Sequence, residues 1–142
     1  MVNATNAVQV TVHERIDRMK IQQSAEDYLE TMLMLQEEHG YIRSIDIANH
    51  LGVTKPSVSY AVKRLRESGY ITMEPNGLIT LAPPGMEIAK RIYDRHRALE
   101  KFLSMLGVDS ELAEEDACKI EHVISNDTFE AIKNYIDDHD QK

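Results

Sequence analysis

A ten-residue stretch near the C-terminal end of the chain, DACKIEHVIS, combines a thiol, a carboxylate and an imidazole. On an α-helix, Cys118, Glu121 and His122 would occupy positions i, i+3 and i+4 and would therefore share one face. Burying such groups together is unfavourable unless a cation lies between them. The stretch therefore indicates one side of a metal site, whose remaining ligands must come from elsewhere in the chain.

Two further pairs of possible ligands are found in the sequence. Asp27 and Glu30 are three residues apart in SAEDYLE, and His96 and Glu100 are four residues apart in RHRALE. On helices, each pair would share a face. Together with the three groups above they offer carboxylate oxygens, imidazole nitrogens and one thiolate. This mixture suits a divalent first-row metal rather than calcium or magnesium.

Each of these residues also has an ordinary interpretation. A single His96 is more often a core or surface histidine, Cys118 a small buried apolar residue, and Asp27 a charge near a helix start. Together they favour a metal site, because burying several acids without a cation would be severely unfavourable. The sequence has no HExxH pair and no Ser or Cys nucleophile beside a His base. No catalytic residue is therefore predicted, and an enzyme is not expected.

The charges of the chain are unevenly distributed. The 142 residues carry a net charge of −8. Residues 109–142 hold eleven acids and three lysines, whereas residues 43–66 hold five bases and one acid. A basic segment in front of an acidic one indicates different partners for the two parts.

The composition also bears on the compartment. One cysteine excludes an internal disulfide and fits a reducing environment. No window approaches ~18 consecutive apolar residues, and the first ten residues lack the pattern of a secretory signal. A soluble cytoplasmic protein without membrane contact is expected.

The front of the chain has the pattern of a helix-turn-helix. Ser24 begins a predicted helix that Gly40 ends, Ser44 begins a short second helix, and Thr54 begins a third that Gly69 ends. The next stretch, YITMEPNGLITL, predicts a β-hairpin, because its Asn-Gly tip accepts positive φ at low cost. A helix-turn-helix followed by a hairpin is a winged helix.

A winged helix usually lays its third helix in a major groove of DNA. Polar and basic residues on and around that helix, and at the hairpin tip, are therefore expected to contact phosphates and bases. The alternative is a solvated basic face used for protein contacts. The predicted DNA-binding residues are Arg43, Thr54, Lys55, Ser57, Ser59, Tyr60, Lys63, Arg64 and Asn76.

The rest of the chain is predicted to be helical, over residues 85–106, 111–124 and 127–139, with Pro83-Pro84 as the boundary between modules. The expected fold is mainly α: an N-terminal winged helix-turn-helix with a small β-hairpin wing, followed by an all-helical metal-binding and dimerisation domain. The predicted divisions are an unassigned arm over residues 1–22, a DNA-binding domain over 23–83 and the helical domain over 84–142. An apolar stripe shared between the monomer core and a dimer interface consists of Ile88, Ile92, Leu99, Phe102, Leu103 and Leu106.

The chain resembles a known family in four separated motifs, which are SAEDYLETMLML, VTKPSVSYAVKRLRESGYI, YDRHRALEKFL and DACKIEHVIS. Over about residues 23–137 the chain resembles the diphtheria toxin repressor family of metal-dependent transcriptional regulators. The resemblance implies a winged helix that binds operator DNA, and a helical domain that dimerises and holds activating iron(II) or manganese(II). We expect no counterpart of the SH3-like third domain of the iron-responsive members, and in that respect the chain resembles the shorter manganese transport regulator branch.

Residue by residue, the resemblance implies six primary metal ligands: Asp27, Glu30, His96, Cys118, Glu121 and His122. Asp27 matches the manganese branch, since the iron branch has methionine there. Cys118 matches the iron branch, and it disfavours a binuclear site because the manganese branch has a glutamate there that would be the natural bridging group. Glu100 and Glu114 stand where the iron branch builds its ancillary site, although Glu114 replaces a histidine. They are possible ancillary ligands.

The resulting prediction is a repressor that binds operator DNA as a homodimer when loaded with manganese(II) or iron(II), and that controls metal-uptake genes. Other divalent first-row metals are expected to bind in vitro, and no small-molecule substrate is expected. A metal joining the two modules would set the spacing of two recognition helices, which must match half-sites ~34–36 Å apart. The alternative is a winged-helix DNA-binding regulator that responds to a non-metal signal.

Overall fold

The computed structural model describes residues 11–140, without the side chains of residues 13–21. The described part of the chain is mainly helical with one antiparallel hairpin, which confirms the predicted fold class. In chain order the elements are α1 (Val12–His39), α2 (Ser44–Leu51), α3 (Lys55–Glu67), β1 (Ile71–Met73), β2 (Ile79–Leu81), α4 (Pro83–Met105), α5 (Ser110–Ile120) and α6 (Asn126–His139).

Helix α1 is longer than predicted. It begins at Val12, so Ser24 lies inside the helix and the prediction that Ser24 begins it is wrong. Residues 12–23 contain neither glycine nor proline, and nothing in the sequence there ends a helix. Much of the predicted arm over residues 1–22 therefore belongs to α1, whereas residues 1–10 lie outside the described part of the chain.

The helix-turn-helix is formed by α2 and α3. Arg43, with extended backbone, is the residue before α2, so Ser44 is the first helical residue and not the predicted cap. Gly52 ends α2 in the left-handed region with φ 65°, as a tight turn requires. Thr54 caps α3 as predicted, because its side chain accepts a hydrogen bond from the backbone N–H of Ser57 at 3.3 Å.

The wing is the β1–β2 hairpin. Its tip has only one residue with positive φ, Gly77 at 87°, whereas Asn76 keeps negative φ. The Gly77 N–H donates to the Glu74 carbonyl at 2.9 Å. The hairpin also receives a contact that the sequence did not indicate, since Ile79 N–H donates to the carbonyl of Ile42 at 3.0 Å and extends the pairing by one residue.

The wing passes directly into α4. Pro83 and Pro84 occupy the first turn of α4, where a missing N–H costs little. The Ala82 N–H donates to the carbonyl of Tyr70 at 2.9 Å, and a Cβ added to Gly85 would lie 2.1 Å from that carbonyl oxygen. The prolines therefore start a helix that is in close contact with the wing.

Helix α1 packs against α4, and α4 packs against α5 and α6. Two residues of the predicted apolar stripe, Ile92 and Leu99, are buried within the monomer, whereas Leu106 is 60% exposed. Within residues 11–140, no helix is long and apolar enough to span a membrane.

Helix α5 ends earlier than predicted, at Ile120 rather than near Ile124. Glu121 follows as the C-terminal capping residue, and residues 121–124 form a turn. The Arg95 guanidinium of α4 donates to the carbonyls of Glu121 at 3.2 Å and Ile124 at 2.9 Å. These hydrogen bonds to carbonyls at the helix end stabilise the turn, which carries two of the predicted metal ligands.

Candidate metal centre

Four segments of the chain position the six predicted primary ligands. Asp27 and Glu30 lie on the middle of α1, and His96 lies on α4. Cys118 lies on the last turn of α5, and Glu121 and His122 lie in the turn that follows. Because α1 and α5 both pack near α4, residues almost one hundred positions apart in sequence meet at one place.

Four of these residues form one group of possible ligands. Glu30, His96, Cys118 and Glu121 each offer a ligand atom, and these atoms all lie within 4.8 Å of one another. The shortest contact joins Nδ1 of His96 to Oε2 of Glu121 at 2.8 Å. Two carboxylates, an imidazole and a thiol within this distance are suitable donors for a divalent first-row cation.

A second group consists of Asp27, Glu121 and His122, again with ligand atoms within 4.8 Å of one another. Nε2 of His122 lies 2.7 Å from Oδ1 of Asp27 and 3.3 Å from Oε1 of Glu121. Glu121 belongs to both groups, with one carboxylate oxygen facing each histidine. The residue shared between the two groups is therefore Glu121 and not the residue at position 118.

Glu30, His96 and Glu121 are buried in the centre, whereas Cys118 lies at its exposed edge, and some of the buried polar atoms have no partner. Glu121 is 0% exposed and Glu30 is 5% exposed. Oε2 of Glu30, Oε1 of Glu121 and Nδ1 of His122 are buried and make no hydrogen bond. Partnerless carboxylate oxygens in the interior are costly, and a cation between them would satisfy the two that belong to Glu30 and Glu121. The donor set therefore fits a divalent metal.

Proximity and burial shift the proton affinities of the acids in the centre. Burial, together with the neighbouring Glu121, raises the pKa of the Glu30 carboxyl to about 8. Burial and the charges of Glu121 and Asp27 raise the pKa of the Cys118 thiol to about 11. Burial also acts to raise the pKa of Glu121, but the adjacent imidazoles of His122 and His96 outweigh it and hold that pKa below its usual value.

The two histidines respond to the surrounding carboxylates. The hydrogen bond with Glu121 raises the pKa of His96. Burial opposes the charged form of His122, but the hydrogen bond with Asp27 and the nearby Glu121 carboxylate prevail and raise its pKa to about 12. Without a cation the centre therefore balances its charge by retaining protons, which a metal ion would have to displace.

Comparison with known proteins identifies the two parts of the chain. The family model for the N-terminal DNA binding domain of iron dependent repressors matches residues 20–78. The model for the metal binding and dimerisation domain of the same repressors matches residues 82–142. The chain belongs to the iron-dependent repressor family. The resemblance to the diphtheria toxin repressor type of regulator is thereby confirmed.

Individual members of the iron-dependent repressor family agree with this assignment. An HTH-type transcriptional regulator of Methanocaldococcus jannaschii is 38% identical over 117 residues, covering 81% of this chain and 94% of that protein. The transcriptional regulator MntR of Salmonella typhimurium is 38% identical over 114 residues, covering 80% of this chain and 73% of that protein. The chain is accordingly a metal-dependent transcriptional regulator.

The fold is also that of solved members of the family. A manganese-dependent transcriptional repressor in complex with manganese superposes with a TM-score of 0.73 at 28% identity, over 80% of this chain and 52% of that one. The chain thus spans about half the length of that repressor.

In the present chain, two further acids lie near the candidate metal centre. Oε2 of Glu100 lies 3.4 Å from Nε2 of His96. Glu114 lines an open cavity of about 630 Å³ together with Asp27, Cys118 and His122. Among the described residues, neither acid belongs to the two groups of possible ligands. They therefore stand outside the close contacts that define the centre.

The nine residues predicted to bind DNA are all exposed. Some of them are held by neighbours. The Arg64 guanidinium donates to the Tyr60 hydroxyl at 3.0 Å, Arg43 lies over the ring of Tyr41, and the Asn76 side chain accepts from the backbone N–H of Leu78 at 3.1 Å. Lys55, Ser59 and Lys63 point into solvent from α3.

Two residues of the centre were not found from the sequence. Glu26 is 5% exposed, and its Oε2 lies 3.8 Å from Nδ1 of His122. Arg95 is 8% exposed and fixes the turn that carries Glu121. Glu26 directly precedes Asp27, and Arg95 directly precedes His96. Helical spacing groups residues that are three or four positions apart, so it does not group a ligand with the residue next to it.

Proposed function

We propose that this regulator is a repressor that binds operator DNA as a homodimer when it holds manganese(II) or iron(II), and that it controls genes of metal uptake. The observation that carries the proposal is the meeting of three carboxylates, two imidazoles and a thiol from α1, α4, α5 and the turn after α5, with buried oxygens left without partners. The proposed primary ligands are Asp27, Glu30, His96, Cys118, Glu121 and His122.

A divalent cation bound there supplies the positive charge that compensates the clustered carboxylates. Asp27 and Glu30 lie on α1, which packs against the helix-turn-helix, whereas His96, Cys118, Glu121 and His122 lie on and after helices of the rear part. By sharing one cation these residues hold α1 at a fixed position relative to α4 and α5. In a homodimer this fixes the separation of the two α3 helices.

The donor set supports the two named metals. Carboxylates and imidazoles suit manganese(II) and iron(II), while the Cys118 thiolate is a softer ligand that suits iron(II) better than manganese(II). A relative is named as the regulator MntR, and a structural neighbour holds manganese. Other divalent first-row ions also bind such a site in vitro, because the order of intrinsic affinity favours the later metals. We propose Glu100 and Glu114 as ancillary ligands only, outside the primary set of six.

The exposed face of α3 is proposed to read DNA. Ser59 and Tyr60 supply base contacts, whereas Lys55, Lys63 and Arg64 neutralise phosphates. Thr54, Ser57, Arg43 and Asn76 are proposed as further contacts at the start of α3, before α2 and at the wing tip. The match to a dimerisation domain over residues 82–142 supports the homodimer, and Met105, Leu106 and Leu112 are exposed apolar residues available for it.

The partner and the compartment follow from this activity. A repressor acts on double-stranded DNA, and we propose that the chain works in the cytoplasm, without a membrane partner, a small-molecule substrate or catalysis.

The test is DNA binding with controlled metal. Operator sequences are first selected from genomic DNA with manganese-loaded protein, and fluorescence anisotropy then compares binding with manganese(II), with anaerobic iron(II) and with EDTA. The proposal predicts tight binding with either metal and loss of specific binding with EDTA. Selection of the same sequences with and without chelator, at equal affinity, would instead favour a winged-helix regulator that responds to a non-metal signal.

A further inference from the structure

A buried acid lies beside the metal centre without belonging to either group of possible ligands. Glu26 is on α1, one residue before Asp27, and is 5% exposed. Its Oε2 lies 3.8 Å from Nδ1 of His122 and 3.7 Å from a guanidinium nitrogen of Arg91. A buried carboxylate at this position can fix either the imidazole of His122 or the guanidinium of Arg91 by accepting a hydrogen bond from it.

The His122 ring has two differently placed nitrogens. Nε2 faces Asp27 at 2.7 Å and Glu121 at 3.3 Å, and it is the nitrogen that lies among the proposed ligands. Nδ1 is buried and makes no hydrogen bond, and the Glu26 carboxylate is at ion-pair distance from it. A change of about 1 Å in that separation would give an ordinary N–H···O hydrogen bond.

A histidine that binds a metal through one ring nitrogen carries a proton on the other, and it usually donates that proton to a carboxylate or carbonyl that fixes the ring. In this chain Asp27 and Glu26 are consecutive residues of α1, and they face Nε2 and Nδ1 of the same ring. Arg91 approaches the same oxygen of Glu26, and its own side chain is 54% exposed.

We propose that Glu26 is a positioning residue, which accepts the Nδ1 proton of His122 and so keeps Nε2 directed at the metal position. This inference rests on the proposed metal-binding function and deepens it. Both nitrogens of His122 are then held by neighbouring carboxylates of α1. The position of α1 therefore sets the orientation of the His122 ring. The contacts of that ring in turn help to hold α1 in place.

The experiment compares Glu26→Gln and Glu26→Ala with wild type and with the control Glu37→Gln. Glu37 is an exposed acid on the same helix that faces Arg97 and is remote from the ligand groups. Manganese(II) affinity is measured by titration, with free manganese followed by EPR. Loss of a carboxylate that orients a metal-binding histidine typically weakens affinity ~10–100-fold. Glu26→Ala is expected to lie in that range and Glu37→Gln at the wild-type value. Glu26→Gln is expected to be intermediate, because its amide oxygen still accepts a hydrogen bond.

A second readout separates positioning from a general effect on folding. In the zinc-loaded protein, ¹⁵N NMR of the histidine rings should show His122 with a protonated Nδ1 that exchanges slowly with water. In both Glu26 variants this exchange should become faster, whereas the metal-free melting temperature of Glu26→Gln should stay close to that of wild type. If Glu26→Ala does not fold, Glu26→Gln decides the question by the same two measurements.

The outcomes are distinguishable. Wild type that binds neither manganese(II) nor, under anaerobic conditions, iron(II) would contradict the proposed function itself. Wild type that binds manganese, with both Glu26 variants equal to it in affinity and in Nδ1–H exchange, would overturn the role of Glu26 alone. The role would also be overturned if Arg91→Met reproduced the affinity loss of Glu26→Gln while neither variant altered the His122 signal, because Glu26 would then serve only to hold Arg91.

Discussion

Asp27 and His122 are 95 positions apart in the chain, yet Oδ1 of the aspartate lies 2.7 Å from Nε2 of the histidine. Asp27 lies in the segment matched by the DNA-binding domain of the family, and His122 lies in the segment matched by the metal-binding and dimerisation domain. A side-chain contact at the metal centre therefore connects the part that reads DNA to the part that is proposed to sense metal.

Replacing Asp27 with alanine should uncouple these two parts. The group formed by Glu30, His96, Cys118 and Glu121 remains, so the variant should still bind metal, with lower affinity. Coupling between sites typically amounts to ~1–3 kcal/mol, so the gain in operator affinity on adding manganese should fall by roughly 5–150-fold. Anisotropy titrations with and without EDTA measure this gain. Glu38→Ala, at an exposed position of the same helix, is the control, and a full metal response in Asp27→Ala would contradict the connection.

Replacing Glu30 with glutamine should stabilise the metal-free protein at high pH. The pKa of Glu30 is raised to about 8 by burial and by Glu121. Between its unfolded and folded pKa values the unfolded chain is ionised while the folded protein keeps the proton, so stability falls as pH rises towards 8 and stays lower above it. Glutamine does not ionise and avoids this loss.

The size of the effect follows from the pKa shift. The gain in unfolding free energy of Glu30→Gln over wild type should be on the order of 5 kcal/mol at pH 9 and much smaller at pH 5. Chemical denaturation of the metal-free proteins at both pH values measures it. Added manganese should stabilise wild type more than the variant, because the variant lacks one proposed carboxylate ligand. Equal pH dependence of the two proteins would show that Glu30 is not the group that titrates.

Metal binding should release protons and strengthen with pH. The raised pKa values of Glu30, at about 8, and of Cys118, at about 11, mean that both groups hold protons near neutral pH, and a metal ligand must be deprotonated. Apparent manganese affinity should therefore increase between pH 6 and 8.5. Calorimetry in two buffers of different ionisation enthalpy gives the number of protons released. A value of zero would mean that these groups are not ligands.

Cys118→Glu should shift metal preference towards manganese. It replaces a soft thiolate with a hard carboxylate at the margin of the group that contains Glu30 and His96. The ratio of manganese to zinc affinity should rise by roughly tenfold. Competition titrations measure the ratio, and Cys118→Ser separates loss of sulfur from gain of a carboxylate. An unchanged ratio would remove Cys118 from the ligand set.

Lys63→Ala should reduce the salt dependence of DNA binding. Lys63 is exposed on α3, and each phosphate contact contributes ~0.9 to the slope of log affinity against log salt concentration. Because a homodimer carries two copies of Lys63, the slope should fall by about 1.8, with little change in sequence preference. Lys133→Ala on α6 is the control. If Lys133→Ala lowered the slope and Lys63→Ala did not, α3 would not be the DNA-binding helix.

The sequence predicted the elements that local patterns determine. Thr54 caps α3, and glycine supplies the positive φ of the wing tip. Helix α4 forms where the apolar periodicity predicts a helix. Two of the boundaries that were wrong, the start of α1 and the end of α5, depend on other features. Helix α1 extends through Ser24 because nothing breaks it, and α5 ends at Ile120 where Arg95, 26 residues before Glu121, holds the carbonyls of the turn.

The sequence also predicted most, but not all, of the residues that meet at the candidate metal centre. Cys118, Glu121 and His122 could be grouped by their spacing, as could Asp27 with Glu30 and His96 with Glu100. The family resemblance then implied which of these residues are primary ligands. Helical spacing could not identify Glu26, which reaches the His122 ring from a position adjacent to Asp27. It also could not show that Glu121 is the residue shared by both groups, since this depends on the turn after α5.

The most direct test of the account is the anomalous diffraction of crystals grown with manganese(II), recorded on both sides of the manganese absorption edge. The account predicts an anomalous peak enclosed by Glu30, His96, Cys118 and Glu121, or by Asp27, Glu121 and His122, or by both groups. Manganese found only at other residues, with these side chains keeping their mutual hydrogen bonds, would contradict it.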